Sequence, residues 1–359
     1  MYENEDPLFQ LDKEENINKY KSAGVVINKV LDQLVKKTVV GASIKELCEL
    51  GDTLIVEECN RIYNSGKNKV EYKGISYPTC ISINNIAGNY KPIEDNGIVI
   101  SEGCIVKIEL GAHIDGFPGF ICYTVIVNSG KKIEDRRADV IKAVVEASRE
   151  IYQIMKPGKS NKELIEILEN KSKKYNCNLP VTGELGKVPG TIFYQVSRYV
   201  IDGFNEESDQ FVHKLILSRD HPVFGFTLRE QIFEENEVYA IDILMSTGEG
   251  KLNKFADHET NIYKRNHLHK HLLKLKSSKA VLNMFGKEVF PISTGAKGMD
   301  GRTKVGVRDC LEKNLIEPYQ CVSDKEGEYI ARIKFTVIVK DRPILICGRP
   351  SDEQLEKLR

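Results

Sequence analysis

Hydrophobic and polar positions follow two periods along this chain, and the period changes from one segment to the next. Apolar residues recur at helical spacing over residues 17–34 and again over 140–154. This spacing predicts two amphipathic helices, each with one buried face. Short runs rich in β-branched residues, at 123–127 and 335–339, are typical of strands. The mixture predicts an α+β protein.

Parts of this pattern occur twice, in the same order. Gly41-Ala-Ser-Ile-Lys-Glu-Leu47 and Gly158-Lys-Ser-Asn-Lys-Glu-Leu164 lie 117 positions apart. In each, Ser is followed three residues later by Glu, which predicts a capping box at the start of a helix. Residues 102–109 resemble residues 235–242, and Thr-Val-Ile-Val occurs at 124–127 and 336–339. The ordered repetition predicts two related α+β halves around a pseudo-twofold axis.

One block has no counterpart in the first half. Residues 263–322 carry apolar positions at helical spacing and a glycine-rich loop at 295–301. We interpret this block as an inserted, mostly helical subdomain. The main domain then comprises residues 1–262 and 323–359.

Composition narrows the class of protein but does not identify a partner. Lys+Arg and Asp+Glu both number 52, so net charge does not indicate a polyanionic ligand. The hydrophobic content of 41% is sufficient for a substantial core. Nine scattered cysteines without a C-x-x-C pair argue against a disulfide framework or a zinc ribbon. The acidic N-terminus and the lack of long apolar runs predict a soluble, intracellular protein without membrane contact.

Ten segments together resemble the pita-bread fold of the creatinase and methionine aminopeptidase superfamily. The inserted block makes the chain similar to the type 2 branch, and the closest resemblance is to its metal-site-deficient, proliferation-associated and ErbB-binding group. The segments are 19–21, 47–52, 77–85, 107–117, 200–203, 237–242, 246–250, 262–265, 326–329 and 334–337.

The resemblance implies a dinuclear metal site formed by two Asp, one His and two Glu. The two Asp positions fall at Glu109 and Phe120, and the two Glu positions at Asp242 and Lys334. No histidine lies between residues 114 and 212, where the ligand histidine is expected, and Asn89 stands in place of a catalytic histidine. A phenyl ring cannot donate a lone pair to a cation, and an ammonium group repels one.

Charge argues against metal binding at these positions. Four carboxylates would balance two divalent ions, whereas Glu109, Asp242 and Lys334 together carry one negative charge. Uncompensated charge in a buried pocket costs several kcal/mol, roughly. We therefore predict no metal and no other cofactor, with Lys334 paired to Glu109 or Asp242. Without metal-activated water or a His base, the protein is predicted to be a non-catalytic relative of the enzymes. An active methionine aminopeptidase, or a peptide-binding use of the cleft, are the alternatives.

A basic cluster in the inserted block is the candidate functional surface. No acidic residue occurs between positions 264 and 287. The cluster is either a solvated helix face or a patch that contacts the phosphates of RNA. Aromatic residues are sparse here, which favours recognition of RNA shape and backbone. The predicted RNA-contacting residues are Lys264, Arg265, Lys270, Lys274, Lys276, Lys279 and Lys287.

The resemblance also implies partners. The proliferation-associated group binds structured RNA and ribosomes, near the nascent-chain exit of the large subunit. The resulting hypothesis is a monomeric protein that associates with ribosomal RNA in the cytoplasm, and also in the nucleus or nucleolus. Nascent chains and DNA are further candidate partners. A DNA- or RNA-binding adaptor in transcription or growth regulation is the alternative.

Overall fold

A computed structural model describes most of the chain. Residues outside the description are 1–10, 12, 95–96, 129, 131, 183–191, 202–203, 206–209, 212–213, 218–229, 257, 268, 287–288, 298–300, 349–354, 356–357 and 359.

Three helix pairs follow one another along the described chain. They are α1 (Glu14–Lys37), α2 (Ile44–Cys59), α3 (Arg136–Ile154), α4 (Asn161–Lys174), α5 (Lys276–Phe285) and α6 (Gly301–Glu312), and a 3-10 helix spans Thr294–Lys297. The predicted apolar stripe of the first helix is confirmed, because Tyr20, Ile27 and Leu34 are buried along one side of α1. None of the described helices is both long and apolar enough to span a membrane.

Strands outnumber helices in the described part of the chain, and eight of the seventeen belong to one large sheet. They are β1 (Lys73–Ile83), β2 (Ile86–Gly88), β3 (Ile105–Ile114), β4 (Phe117–Ile126), β5 (Val181–Thr182), β6 (Ile192–Gln195), β7 (Phe204–Asn205), β8 (Gln210–Phe211), β9 (Leu215–Leu217), β10 (Val238–Ser246), β11 (Lys251–Lys254), β12 (Ile262–Arg265), β13 (Ile292–Ser293), β14 (Ile316–Pro318), β15 (Val322–Ser323), β16 (Ile330–Ile338) and β17 (Ile344–Cys347). The large sheet has the order β1-β3-β4-β16-β10-β6-β9, and β17 pairs with β16. A smaller sheet has the order β2-β15-β11-β5.

Equivalent contacts confirm the two predicted halves. In the first half, the amide of Gly41 donates to the carbonyl of Ile100 over 2.8 Å. In the second half, the amide of Gly158 donates to the carbonyl of Phe233 over 2.9 Å. The turn before α2 is thus fixed to the segment that leads into β3, and the turn before α4 to the segment that leads into β10. The first three residues of each Thr-Val-Ile-Val run end β4 and β16, which are neighbours at the centre of the sheet.

Only one of the two predicted capping boxes forms a cap. The Ser43 hydroxyl accepts a hydrogen bond from the amide of Glu46 at 3.3 Å. The prediction at Ser160 is wrong, since its side chain makes no cap hydrogen bond. Its backbone pairs with Ile232 in an isolated antiparallel β-bridge. A distant part of the chain thus contacts Ser160 at the start of the helix.

The large sheet has one face towards helices and one towards the smaller sheet. Ile108 of β3 packs in the core with α1, and Ile333 and Phe335 of β16 pack in the core with α3. Side chains alternate between faces along a strand. Glu109 and Lys334 therefore point away from the helices, towards the smaller sheet.

The inserted block has a core of its own, and it contains strands as well as helices. Strands β13, β12 and β14 form a three-stranded antiparallel sheet beside α5 and α6. These strands are two to four residues long, too short for a period of two to be recognisable in the sequence. The buried residues of this core are Tyr263, Leu273, Val281, Phe285, Val307, Cys310, Leu315 and Ile316.

Candidate functional site

Four side chains form a row across the middle of the large sheet. In the strand register, Glu109 lies opposite Cys122, Cys122 opposite Lys334, and Lys334 opposite Asp242. Directly opposed residues of antiparallel strands share a face. The register therefore gathers two carboxylates and an ammonium group that are distant in sequence.

Lys334 pairs with both carboxylates. Its Nζ lies 2.5 Å from Oε1 of Glu109 and 3.0 Å from Oδ2 of Asp242. The predicted ion pair is thus present, and it includes both acidic residues rather than one.

Arg332 is a fourth charged member, which the sequence analysis missed. Its Nη1 and Nη2 donate to the two oxygens of Glu109 over 2.6 and 2.9 Å. Its Nε and Nη2 donate to the two oxygens of Asp242 over 2.7 and 2.6 Å. The predicted net charge of −1 for the site is therefore wrong, and the cluster is neutral. Arg332 precedes Lys334 by two residues, so the period of two in a strand was the signal that would have found it.

The pseudo-twofold axis relates Arg332 to Phe120. The hydroxyl of Thr336 bonds to both the amide and the carbonyl of Phe120, over 2.9 and 3.1 Å. The hydroxyl of Thr124 bonds in the same way to the amide and carbonyl of Arg332, over 2.9 and 2.6 Å. Phe120 and Arg332 are 212 positions apart in sequence, and so are Thr124 and Thr336. In the first half, the phenyl ring of Phe120 thus stands at the position that the resemblance assigns to a bridging carboxylate. Its counterpart in the second half is the cation of Arg332.

The smaller sheet covers this cluster, and Gly88 of β2 lies against the charged side chains. A Cβ at Gly88 would lie 2.5 Å from Nη1 of Arg332 and 3.7 Å from Oε2 of Glu109. The close approach of the β2 backbone to the guanidinium therefore requires glycine at this position. The side chains of the four charged residues are only 3–5% exposed.

Electrostatics keep Asp242, Arg332 and Lys334 ionised despite their burial. Burial raises the pKa of Asp242, but the charges of Arg332 and Lys334 outweigh it, so the pKa lies below its ordinary value. Burial lowers the pKa values of Arg332 and Lys334, but the two carboxylates outweigh it and hold both above their ordinary values. These three groups are therefore charged at neutral pH.

The cluster does not fit the metal centre that the resemblance implies. All four oxygens of Glu109 and Asp242 already accept hydrogen bonds from Arg332 or Lys334. A divalent ion on the same oxygens would lie against two positive charges. Over the part of the chain that the structure describes, no group of three or more His, Cys, Asp or Glu side chains is placed to hold a metal ion.

Asn89, at the position of a catalytic histidine, is committed to structural contacts. Its Oδ1 accepts a hydrogen bond from the hydroxyl of Tyr77 at 2.5 Å, and its Nδ2 donates to the carbonyl of Gln320 at 2.8 Å. An amide has no proton-accepting nitrogen near neutral pH. Asn89 therefore joins β2 to the end of the inserted block and supplies no base.

The structure separates the predicted basic cluster into two environments. Lys270, Lys274, Lys276 and Lys279 are exposed, and none of them forms an ion pair with a described residue. Lys264 and Arg265 are half-buried on β12. Arg265 donates to the carbonyl of Leu282 over 3.3 Å, which is a structural contact. Lys287 lies outside the described residues.

Residues 18–250 match the model of metallopeptidase family M24. This range contains strands β3, β4 and β10 of the row, and β16 lies beyond it. The chain belongs to metallopeptidase family M24. It is 34% identical over 339 residues to ErbB-3 binding protein 1 of Arabidopsis thaliana, covering 94% of this chain and 81% of that protein. It is 33% identical over 345 residues to the curved DNA-binding protein of Schizosaccharomyces pombe, covering 94% and 84%.

Among solved structures, this M24 chain is similar to that of a thermophilic Arx1. The TM-score is 0.82 at 25% identity, and the match covers 97% of this chain and 94% of the other. The predicted resemblance to the ErbB-binding group and the predicted pita-bread fold are confirmed.

Proposed function

We propose that this M24 protein is non-catalytic and binds structured RNA of the large ribosomal subunit. The observation that carries the first part is the use of all four carboxylate oxygens by Arg332 and Lys334. Hydrolysis of a peptide needs an activated nucleophile and a proton acceptor. The cluster offers no open carboxylate for an activating ion, and Asn89 offers no base.

Support for RNA binding comes from the segment 269–279, which we name the basic strap. Four exposed lysines lie on it, none of them in an ion pair with a described residue: Lys270, Lys274, Lys276 and Lys279. Lys276 lies in the first turn of α5, which contains no acidic residue. Positive charge is unfavourable at this end of a helix dipole. Lys276 therefore does not stabilise the helix through its charge, which remains available to phosphates.

The ribosomal partner rests on the resemblance to the proliferation-associated group. The resemblance implies binding to ribosomes near the nascent-chain exit, and we therefore propose action in the cytoplasm, and also in the nucleus or nucleolus. Ribosomal RNA supplies the dense phosphate charge that the basic strap matches.

Co-sedimentation with large ribosomal subunits at low and moderate salt tests this proposal. The test variant is Lys270→Gln/Lys274→Gln/Lys276→Gln. The control is Lys21→Gln/Lys36→Gln/Lys37→Gln, which removes the same charge from exposed positions of α1. We expect the test variant to bind at least about tenfold more weakly, with a log–log salt slope reduced by roughly 2 to 3. Absence of wild-type binding at both salt concentrations, or equal loss in both variants, would overturn it.

Two further measurements separate this proposal from its competitors. An active aminopeptidase predicts stoichiometric metal by elemental analysis and cleavage of peptides that begin with Met. Duplex DNA is a second candidate ligand, because the similar protein of S. pombe is named for binding curved DNA. Direct competition between curved duplex DNA and ribosomal RNA decides between them, and we expect the RNA to bind more tightly.

A further inference from the structure

Leu272 is the most exposed large apolar side chain in the described part of the chain, at 85% exposure. The adjacent Leu273 is only 8% exposed and packs in the core of the inserted block. Residues 269–275 form neither helix nor strand. Burial of Leu273 fixes this part of the strap to the core, and so the side chains on either side of it project into solvent. The exposure of Leu272 is therefore imposed by the packing of its neighbour.

Positive charge surrounds this leucine on both sides. Lys270 precedes Leu272 by two residues and Lys274 follows it by two, and both are exposed without an ion-pair partner among the described residues. At about 3.3 Å per residue, the two lysines are at most roughly 13 Å apart along the backbone. A partner for this arrangement has to present an apolar surface between two negative charges.

A nucleotide in an RNA strand has this composition, with a flat base between two phosphates. The faces of paired bases are covered by stacking, whereas bases in bulges and loops expose theirs. Apolar side chains such as leucine contact exposed base faces or enter base steps in known nucleic-acid complexes. Leucine makes no hydrogen bond, so such a contact distinguishes an unpaired base from a paired one without reading its identity.

We infer that Leu272 packs on the face of an unpaired base in structured RNA, while Lys270 and Lys274 contact the phosphates on either side. This inference rests on the proposed RNA binding and adds the feature of the RNA that is recognised. The strap then combines a salt-dependent ionic contact with an apolar contact that salt does not screen.

A substitution at Leu272 tests the contact with the base without disturbing the fold. Leu272→Ser removes a side chain that is almost fully exposed, so thermal stability is expected to be unchanged. Val305→Ser is the matched control, since Val305 is a 55% exposed apolar residue on α6 of the same block. Its surroundings differ in charge, because the adjacent Lys304 is paired with Glu259 at 2.7 Å.

The experiment measures binding of wild type and both variants to two RNA hairpins that differ only in a single-nucleotide bulge. We expect wild type to prefer the bulged hairpin, and Leu272→Ser to lose about fivefold in affinity for it. Its affinity for the paired hairpin and its salt slope are expected to match wild type. Val305→Ser is expected to behave as wild type with both RNAs.

The outcomes distinguish this inference from the proposed function. Wild type that binds neither hairpin nor ribosomal subunits contradicts the proposed function and the inference with it. Wild type that binds both hairpins, with Leu272→Ser unchanged or weakened equally on both, contradicts the inference alone. If Leu272→Ser keeps its RNA affinity but loses binding to intact subunits, the partner of Leu272 is a protein pocket and the inference is wrong.

Discussion

The guanidinium of Arg332 holds the carboxylate of Glu109 through two parallel hydrogen bonds, although 223 residues separate them. Arg332 lies on β16 and Glu109 on β3, so the side chain reaches over β4. Paired N–H donors that match a carboxylate in this way fix orientation as well as charge. This contact joins the two halves of the fold at the positions where the resemblance implies a metal centre.

Replacing Arg332 with leucine is expected to destabilise the fold strongly. Two buried carboxylates would then share the single charge of Lys334, and breaking a buried pair of this kind costs about 3–5 kcal/mol. Urea denaturation measures the difference in the free energy of unfolding. Arg308→Leu is the control, because Arg308 pairs with Glu312 while 83% exposed, and its loss is expected to cost about 1 kcal/mol or less. Equal losses in the two variants would show that burial of the Arg332 pairs adds nothing to stability.

Removing both cations is expected to create a response to divalent metal. In Arg332→Leu/Lys334→Leu, the carboxylates of Glu109 and Asp242 carry two uncompensated negative charges on one face of the sheet. A bound Mn²⁺ would neutralise them and stabilise the folded state by mass action. We expect millimolar MnCl₂ to raise the melting temperature of this variant by several degrees, and EDTA to reverse the effect. Wild type and Glu109→Gln/Arg332→Leu/Lys334→Leu serve as controls, and a similar rise in either would contradict the explanation.

The two halves of the fold could be predicted from the sequence. So could three of the charged residues at the site, Glu109, Asp242 and Lys334. Repetition of whole segments is visible without structure, and helical spacing over residues 17–34 reports directly which face of α1 is buried. The pairing of Lys334 with acidic residues followed from the family resemblance, which assigns them to one site, together with their charges. These features depend on local order along the chain, on similarity to known sequences or on sums of charge, all of which a sequence contains.

Arg332 and Ser160 show what the sequence does not contain. The period of two puts Arg332 on the same face as Lys334, but the carboxylates that its side chain reaches are set by the register of four strands. The sequence around Ser160 satisfies the capping pattern, yet its side chain makes no cap hydrogen bond, and its backbone pairs with Ile232. In both cases the residue has a partner from a distant part of the chain, which its neighbours in sequence do not indicate.

Lys107 is expected to make the free energy of unfolding depend on pH. Replacing this lysine is expected to remove that dependence. It is 1% exposed, its Nζ donates to the carbonyl of Asn84 over 2.6 Å, and burial lowers its pKa to about 7. In the unfolded chain a lysine binds its proton up to about pH 10.4. Between pH 7 and 8.5 the unfolded state thus holds more protons than the folded one, so the stability contribution of Lys107 rises with pH.

The difference between wild type and Lys107→Met isolates this contribution, because other titrating groups are common to both proteins. We expect the free energy of unfolding of wild type, relative to the variant, to increase by on the order of 2 kcal/mol from pH 7 to 8.5. Urea denaturation at several pH values measures it. A difference that stays constant or falls over this interval would mean that Lys107 keeps its proton in the folded state.

Gly88 and Arg332 are expected to be energetically coupled across the two sheets. A Cβ at Gly88 would lie 2.5 Å from Nη1 of Arg332, a group held in place by Glu109 and Asp242. Gly88→Ala is therefore expected to destabilise wild type by about 1–3 kcal/mol, as overpacking does. In an Arg332→Leu background the obstructing nitrogen is gone, so the same substitution is expected to cost at least about 1 kcal/mol less. Gly301→Ala, whose Cβ would meet nothing within 4 Å, is the control and is expected to be neutral in both backgrounds. A penalty for Gly88→Ala that is identical with and without Arg332 would show that the β2 backbone, rather than the guanidinium, limits the space at this position.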